Sequence, residues 1–238
     1  MNGIVVNLPK RAAAEFLGTA LLLAAIVGSG IMGERLAGGN TAIALLANTI
    51  ATAATLCALI IAFGPVSGAH FNPVVTFAEG SLGALPWVEV PAYIAAQIAG
   101  AFAGVAAANI MFEYPMLFAS RHIRTGSAQW FSEFVATFGL VTIILMCSKR
   151  QSNAVSFAVA AYITGAYWFT ASTSFANPAV TLARAASDTF AGIRPIDGPA
   201  FIGSQIIGAA CATALFRGFS FDGWQTNEQA AGSDSLHR

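Results

Sequence analysis

Charge is scarce in this chain. Only 9% of its 238 residues are charged, where a soluble domain carries about 25%. Eleven cationic side chains balance eleven anionic ones, so there is no net field to gather nucleic acid or an acidic partner. Cysteine is nearly absent too. Cys57, Cys147 and Cys211 lie in or beside apolar segments without paired spacing, which argues against a disulfide framework or a thiolate metal site and leaves small buried hydrophobes. No nucleophile–base pair and no metal-ligand spacing stands out, so the sequence offers no case for an enzyme, a cofactor or a bound metal. A polar mature domain after the first apolar stretch is also missing. Lys10 and Arg11 followed by apolar sequence to about Gly33 therefore read as a retained span and not as a signal peptide.

What is abundant is apolar sequence, 56% of the chain. Hydropathy and helix breakers predict six full spans at 10–33, 42–63, 87–112, 128–147, 153–172 and 197–218. Two apolar pieces remain, 72–82 and 177–187. As helices each rises ~15 Å, enough to reach the middle of a bilayer and too little to cross it. The predicted class is an all-α, multi-pass membrane protein embedded in lipid, with one domain over 1–219 and a polar tail over 220–238.

The chain also repeats itself. AEFLGT (14–19) is echoed by SEFVAT (132–137), HFNPVVTFAEG (70–80) by SFANPAVTLARA (174–185), and YIAAQIAGA (93–101) by FIGSQIIGA (201–209). The order is the same in both halves, about 10–112 and 128–218, and each half holds three spans. An odd span count forces the second half to enter the membrane upside down, an inverted repeat whose site is expected at the midplane. With the termini cytoplasmic, Lys10, Arg11, Lys149, Arg150, Arg217 and Arg238 lie inside, and Arg35, Arg121, Arg124, Arg184 and Arg194 lie outside. The positive-inside count favours this orientation only narrowly.

Asn is a preferred helix N-cap and Pro a preferred first helical residue, so Asn72-Pro73 and Asn177-Pro178 each start a half-helix. Inversion aims both starts at the membrane centre, each carrying roughly half a positive charge. A carboxamide satisfies orphan amides with its oxygen and still offers donors from its nitrogen. Donors and positive helix ends at one constriction favour a neutral solute's oxygen and disfavour protons and cations, an arrangement for which aquaporins are the standing example.

The paired phrases SGAHFNPVVTF and FANPAVTLAR, with the AEF and SEF glutamates, resemble the major intrinsic protein family of aquaporins and aquaglyceroporins over residues 10–218. The resemblance implies six spans and two half-helices around one pore per protomer, assembled as a homotetramer. It places the motif residues Asn72, Pro73, Val74, Asn177, Pro178 and Ala179 at the pore midplane. It makes Glu15 and Glu133 the carboxylates that hold the two re-entrant loops, where a transporter would use them as proton carriers. It puts His70 on the cytoplasmic side of the pore.

One departure stands out. Most members carry Arg after the second Asn-Pro-Ala, and this chain carries Val180. Counting back from the motifs without gaps gives Thr52, Gly165 and Ser174 as the other selectivity-filter positions. Gly165 adds no side chain and Val180 neither donor nor charge, so a wide aperture is expected, passing water and uncharged solutes such as polyols, urea or neutral metalloid hydroxides. Val at this place also resembles bacterial members associated with arsenic resistance, which implies trivalent arsenic hydroxide as the leading solute. Arg184 stands one turn further out. It is either a displaced electrostatic guard or a surface residue that pairs with Asp188 or snorkels to headgroups. A coupled secondary transporter is the rival to a passive channel, since it too uses inverted repeats and broken helices.

Overall fold

The computed structural model describes residues 6–148 and 154–221; most of the predicted polar tail, 222–238, lies outside them. Eight helices follow in order among the described residues: α1 Leu8–Leu36, α2 Thr41–Ser67, α3 Pro73–Ser81, α4 Val90–Met111, α5 Ser127–Ser148, α6 Val155–Phe169, α7 Pro178–Arg184 and α8 Gly198–Phe221, the last preceded by a 3-10 turn at Pro195–Asp197. There is no strand among the described residues. Among the described residues, five helices are long and apolar enough to cross a membrane, and α6 is a shorter apolar helix of 15 residues. The half-helices α3 and α7 have 9 and 7 residues.

Each half packs by the same rule. In the first, α1 lies against α4; in the second, α5 lies against α8. Small residues permit the close approach. A Cβ on Gly100 would sit 2.2 Å from the Phe16 carbonyl oxygen, and one on Gly208 would sit 2.6 Å from that of Phe134. Helix contact without side chains between the backbones suits a bilayer, where packing and not the hydrophobic effect draws helices together. The GAFAG run at 100–104 is therefore a packing face. α2 and α6 join the two halves.

The half-helices meet tip to tip because their caps bond across. Asn72 Nδ2 donates to the Ala176 carbonyl at 2.8 Å, and Asn177 Nδ2 donates to that of Phe71, also at 2.8 Å. Both side-chain oxygens cap their own helix: Asn72 Oδ1 accepts from Val74 N, and Asn177 Oδ1 from Ala179 N and Val180 N. This is the inverted two-half-helix arrangement that the repeated Asn-Pro phrases imply.

Candidate functional site

Non-helical backbone inside a bilayer must be satisfied by protein or by a wet cavity. Here two buried carboxylates satisfy it. Glu15 accepts four hydrogen bonds: its Oε1 from Ser67 Oγ (2.6 Å) and His70 N (3.0 Å), its Oε2 from Phe71 N (2.7 Å) and Gln97 Nε2 (2.8 Å). Glu133 accepts from Phe175 N and Ala176 N, both at 2.8 Å, and from Gln205 Nε2 at 2.6 Å. The loops they hold are strained alike. Ala69 and Ser174 both have φ of 52°, and Phe71 and Ala176 both have 48°. Left-handed backbone costs a residue with a Cβ roughly 1–2 kcal/mol, which the carboxylate bonds offset.

Gln97 and Gln205 complete the scaffold. Each Nε2 also donates to a threonine of the neighbouring half-helix, Thr76 Oγ1 at 2.8 Å and Thr181 Oγ1 at 2.9 Å. Sequence reasoning gave these glutamines no role, although both stand inside the repeated phrases YIAAQIAGA and FIGSQIIGA.

A cavity of about 470 Å³ runs past both asparagines. Its wall is built from helix stripes at i, i+4 spacing: Leu22 and Ile26 on α1, Thr52, Leu56 and Ile60 on α2, Leu140 and Ile144 on α5, Val155, Val159, Ile163 and Tyr167 on α6. At one end stand Arg11, His70, Glu79 and Tyr93, and at the other Ser174, Val180 and Arg184. His70 Nδ1 lies 3.1 Å from Thr76 Oγ1, with its ring against that of Tyr93. No cluster of metal-ligating side chains occurs among the described residues.

The six motif residues, expected at the pore midplane, divide between cavity wall and scaffold. Pro73, Val74, Pro178 and Ala179 do not line this cavity; only the asparagines of the six do. Val74 packs with Ala78, Val141 and Ala209 in a buried cluster behind the half-helix. The reason is helical geometry: with Asn as cap, the residue three later shares its face, so Val75 and Val180 front the cavity while Val74 and Ala179 point into the scaffold.

Gly165 is a correction. It lies on the exposed face of α6, and a Cβ there would meet only the Phe169 ring, at 3.8 Å. Ile163 and Tyr167 take the cavity face, roughly 200° around the helix from Gly165 in either direction. Tyr167 hydroxyl reaches Thr52 Oγ1 at 3.3 Å, so an aromatic ring stands where an empty position was expected.

Arg184 resolves its two readings by position. The side chain is 2% exposed, its Nε donates to the Ala191 carbonyl, and its Cζ lies 3.4 Å from the centroid of the Phe175 ring. Asp188 does not pair with it; Asp188 Oδ1 accepts from Arg121 N at 2.7 Å instead. The guanidinium faces the cavity one turn beyond Val180 and does not reach for headgroups.

Residues 5–169 and 146–236 match the major intrinsic protein family. The chain is 54% identical over 211 residues to aquaglyceroporin AqpS of Rhizobium meliloti (strain 1021), covering 89% of this chain and 90% of that one. It is 31% identical over 166 residues to aquaporin NIP3-1 of Oryza sativa subsp. japonica, covering 67% of this chain and 52% of that one. The solved aquaglyceroporin of Plasmodium falciparum superposes with a TM-score of 0.65 at 20% identity, over 88% of this chain and 96% of its own, which speaks to the fold. The chain belongs to the major intrinsic protein family: it is a multi-pass membrane channel for water and small solutes, and not an enzyme.

Proposed function

We propose that the pore conducts uncharged solutes larger than water, such as polyols, urea and neutral metalloid hydroxides, with trivalent arsenic hydroxide as the leading specific solute. The observation that carries this reading is the wall outside the asparagines. It presents the isopropyl group of Val180 and the hydroxyl of Ser174, whose Oγ has no protein partner. A buried hydroxyl left free costs about 1–3 kcal/mol unless something passing bonds to it; an –OH-bearing solute does so. Thr52 Oγ1 and Tyr167 hydroxyl add a second polar edge, and Asn72 and Asn177 each keep one amide N–H beyond the bond spent on the opposite loop.

Cations are refused by charge. Arg184 sets a guanidinium at the outer end, and the two half-helix starts add their positive ends at the middle. The protomers assemble as a homotetramer with one pore each. A coupled carrier needs a titrating group free to load and unload, but Glu15 and Glu133 are fully buried and committed to loop amides.

Stopped-flow light scattering on proteoliposomes, with water, glycerol and arsenite gradients in turn, tests the reading. Passive, non-saturating flux of all three is expected, and Val180→Arg should cut glycerol and arsenite flux while sparing water. Saturable flux that follows a proton gradient, or unchanged solute flux in Val180→Arg, sinks it.

A further inference from the structure

Arg124 sits in the connection between the two halves, 8% exposed, and does not touch the pore. A buried guanidinium is costly unless its donors are used. Its side chain donates to backbone carbonyls: Nε to Gly192 at 2.8 Å, Nη1 to Ser172 at 3.1 Å and Nη2 to Phe190 at 3.5 Å. Its own amide is fixed by Asp197 Oδ2 at 3.0 Å. No ion pair among the described residues includes Arg124 or Arg184.

These carbonyls are the ones that matter to Arg184. Phe190, Ala191 and Gly192 are consecutive: Arg124 grips the first and third, and Arg184 Nε takes the middle one. The segment is a tight turn, closed by Gly192 N on the Thr189 carbonyl at 2.8 Å. It has no slack, since a Cβ on Gly192 would sit 2.3 Å from Ser120 Oγ and 2.5 Å from the Ser187 carbonyl oxygen. Ser172, the third anchor, lies three residues before Phe175, whose ring carries both guanidiniums, Arg184 at 3.4 Å and Arg124 at 5.0 Å from the centroid. Arg124 thus touches both surfaces that hold Arg184, the 190–192 carbonyls directly and Phe175 through its ring and the Ser172 carbonyl upstream.

Neither guanidinium has an ion-pair partner among the described residues, so the two repel each other and are offset only at longer range, by Glu133. His122 in the same connection registers their charge: burial, then Arg124 and Arg184, push its imidazole below the ordinary histidine range, and Asp188 only partly offsets this.

We infer that Arg124 is a positioning residue for the charge filter, holding the 190–192 carbonyls and the Phe175 ring so that the Arg184 guanidinium is fixed at the outer end of the pore. The inference rests on Arg184 acting as the cation guard. A displaced or mobile Arg184 would guard poorly even though it remains charged.

Proton leak into proteoliposomes loaded with a pH-sensitive dye measures this, with folding checked by circular dichroism and size exclusion. Arg184→Gln should raise leak on the order of tenfold, the effect of removing one near-axis charge at interior screening. Arg124→Gln should reach a similar leak, and the double variant should leak no more than Arg184→Gln alone. Arg124→Lys keeps the charge without the three-carbonyl grip, so it should leak nearly as much as Arg124→Gln. Tight vesicles with Arg124→Gln or Arg124→Lys, or a double variant whose leak is the product of the singles, overturn the inference while leaving the guard intact. Tight vesicles with Arg184→Gln overturn the guard itself. If Arg124→Gln does not fold, Arg124→Lys with and without Arg184→Gln makes the same comparison.

Discussion

The two re-entrant loops are one design used twice, and their differences say more than their likeness. Ser67 and Ser172, Asn72 and Asn177, Thr76 and Thr181 occupy equal places, and each loop has its buried Glu and Gln. At the same steps along the loop the cavity-facing residues part company: His70 answers to Phe175, and Glu79 to Arg184. Scaffold residues are doubled because both loops face one physical problem, bare backbone at membrane depth. Residues that meet the solute diverge because one mouth need not do the work of the other.

The largest effect should come from striking the shared part. Glu15→Ala and Glu133→Ala each strand several buried donors, at about 1–3 kcal/mol per orphaned group. Both should lose most of their folded yield, read by size exclusion and melting temperature in detergent. A protein that tolerates one loss and not the other breaks the equivalence of the halves.

Next come the unequal mouths. Glu79→Gln removes a carboxylate at the place equivalent to Arg184, yet proton leak should change less than about twofold, since a neutralised anion does not lower a barrier to cations. A leak like that expected of Arg184→Gln would make the two mouths electrostatically equal.

A smaller contrast lies between Val75 and Val180, alike in identity and both on the cavity wall. Val180→Ala should raise glycerol flux by about two- to fivefold, and Val75→Ala by less, because the proposed filter includes Val180 with Ser174 and Thr52 but not Val75. The reverse order would move the narrowest point to the inner half.

The least effect is expected at Gly165. Gly165→Ala adds a methyl to an exposed helix face with its nearest neighbour at 3.8 Å, so flux should not move. Stability should rise by about 0.5–1 kcal/mol from helix propensity, read as melting temperature. A change in flux would return this residue to the filter.

Gly165 also shows where counting fails. Stepping back from each Asn presumes that both loops leave their helix at the same place. α2 runs on to Ser67, whereas α6 stops at Phe169 and a turn follows. The residue reached by counting in the second half therefore lies on the wrong face. Thr52, counted along the unbroken helix, does reach the cavity. Phe175 and Arg124 were illegible for another reason: their parts depend on contacts across long stretches of chain, and Arg124 lies in a connection with no counterpart in the repeat.

By itself the sequence determined the membrane class, the inversion, the two half-helices and their caps, because hydropathy, span parity and Asn-Pro chemistry are local properties that act wherever they occur. Tertiary structure alone decided which faces look into the pore, that Tyr167 and not Gly165 borders it, and that Arg184 turns inward over Phe175. Those outcomes depend on where helices end and which carbonyls lie within reach, distances that a linear code does not carry.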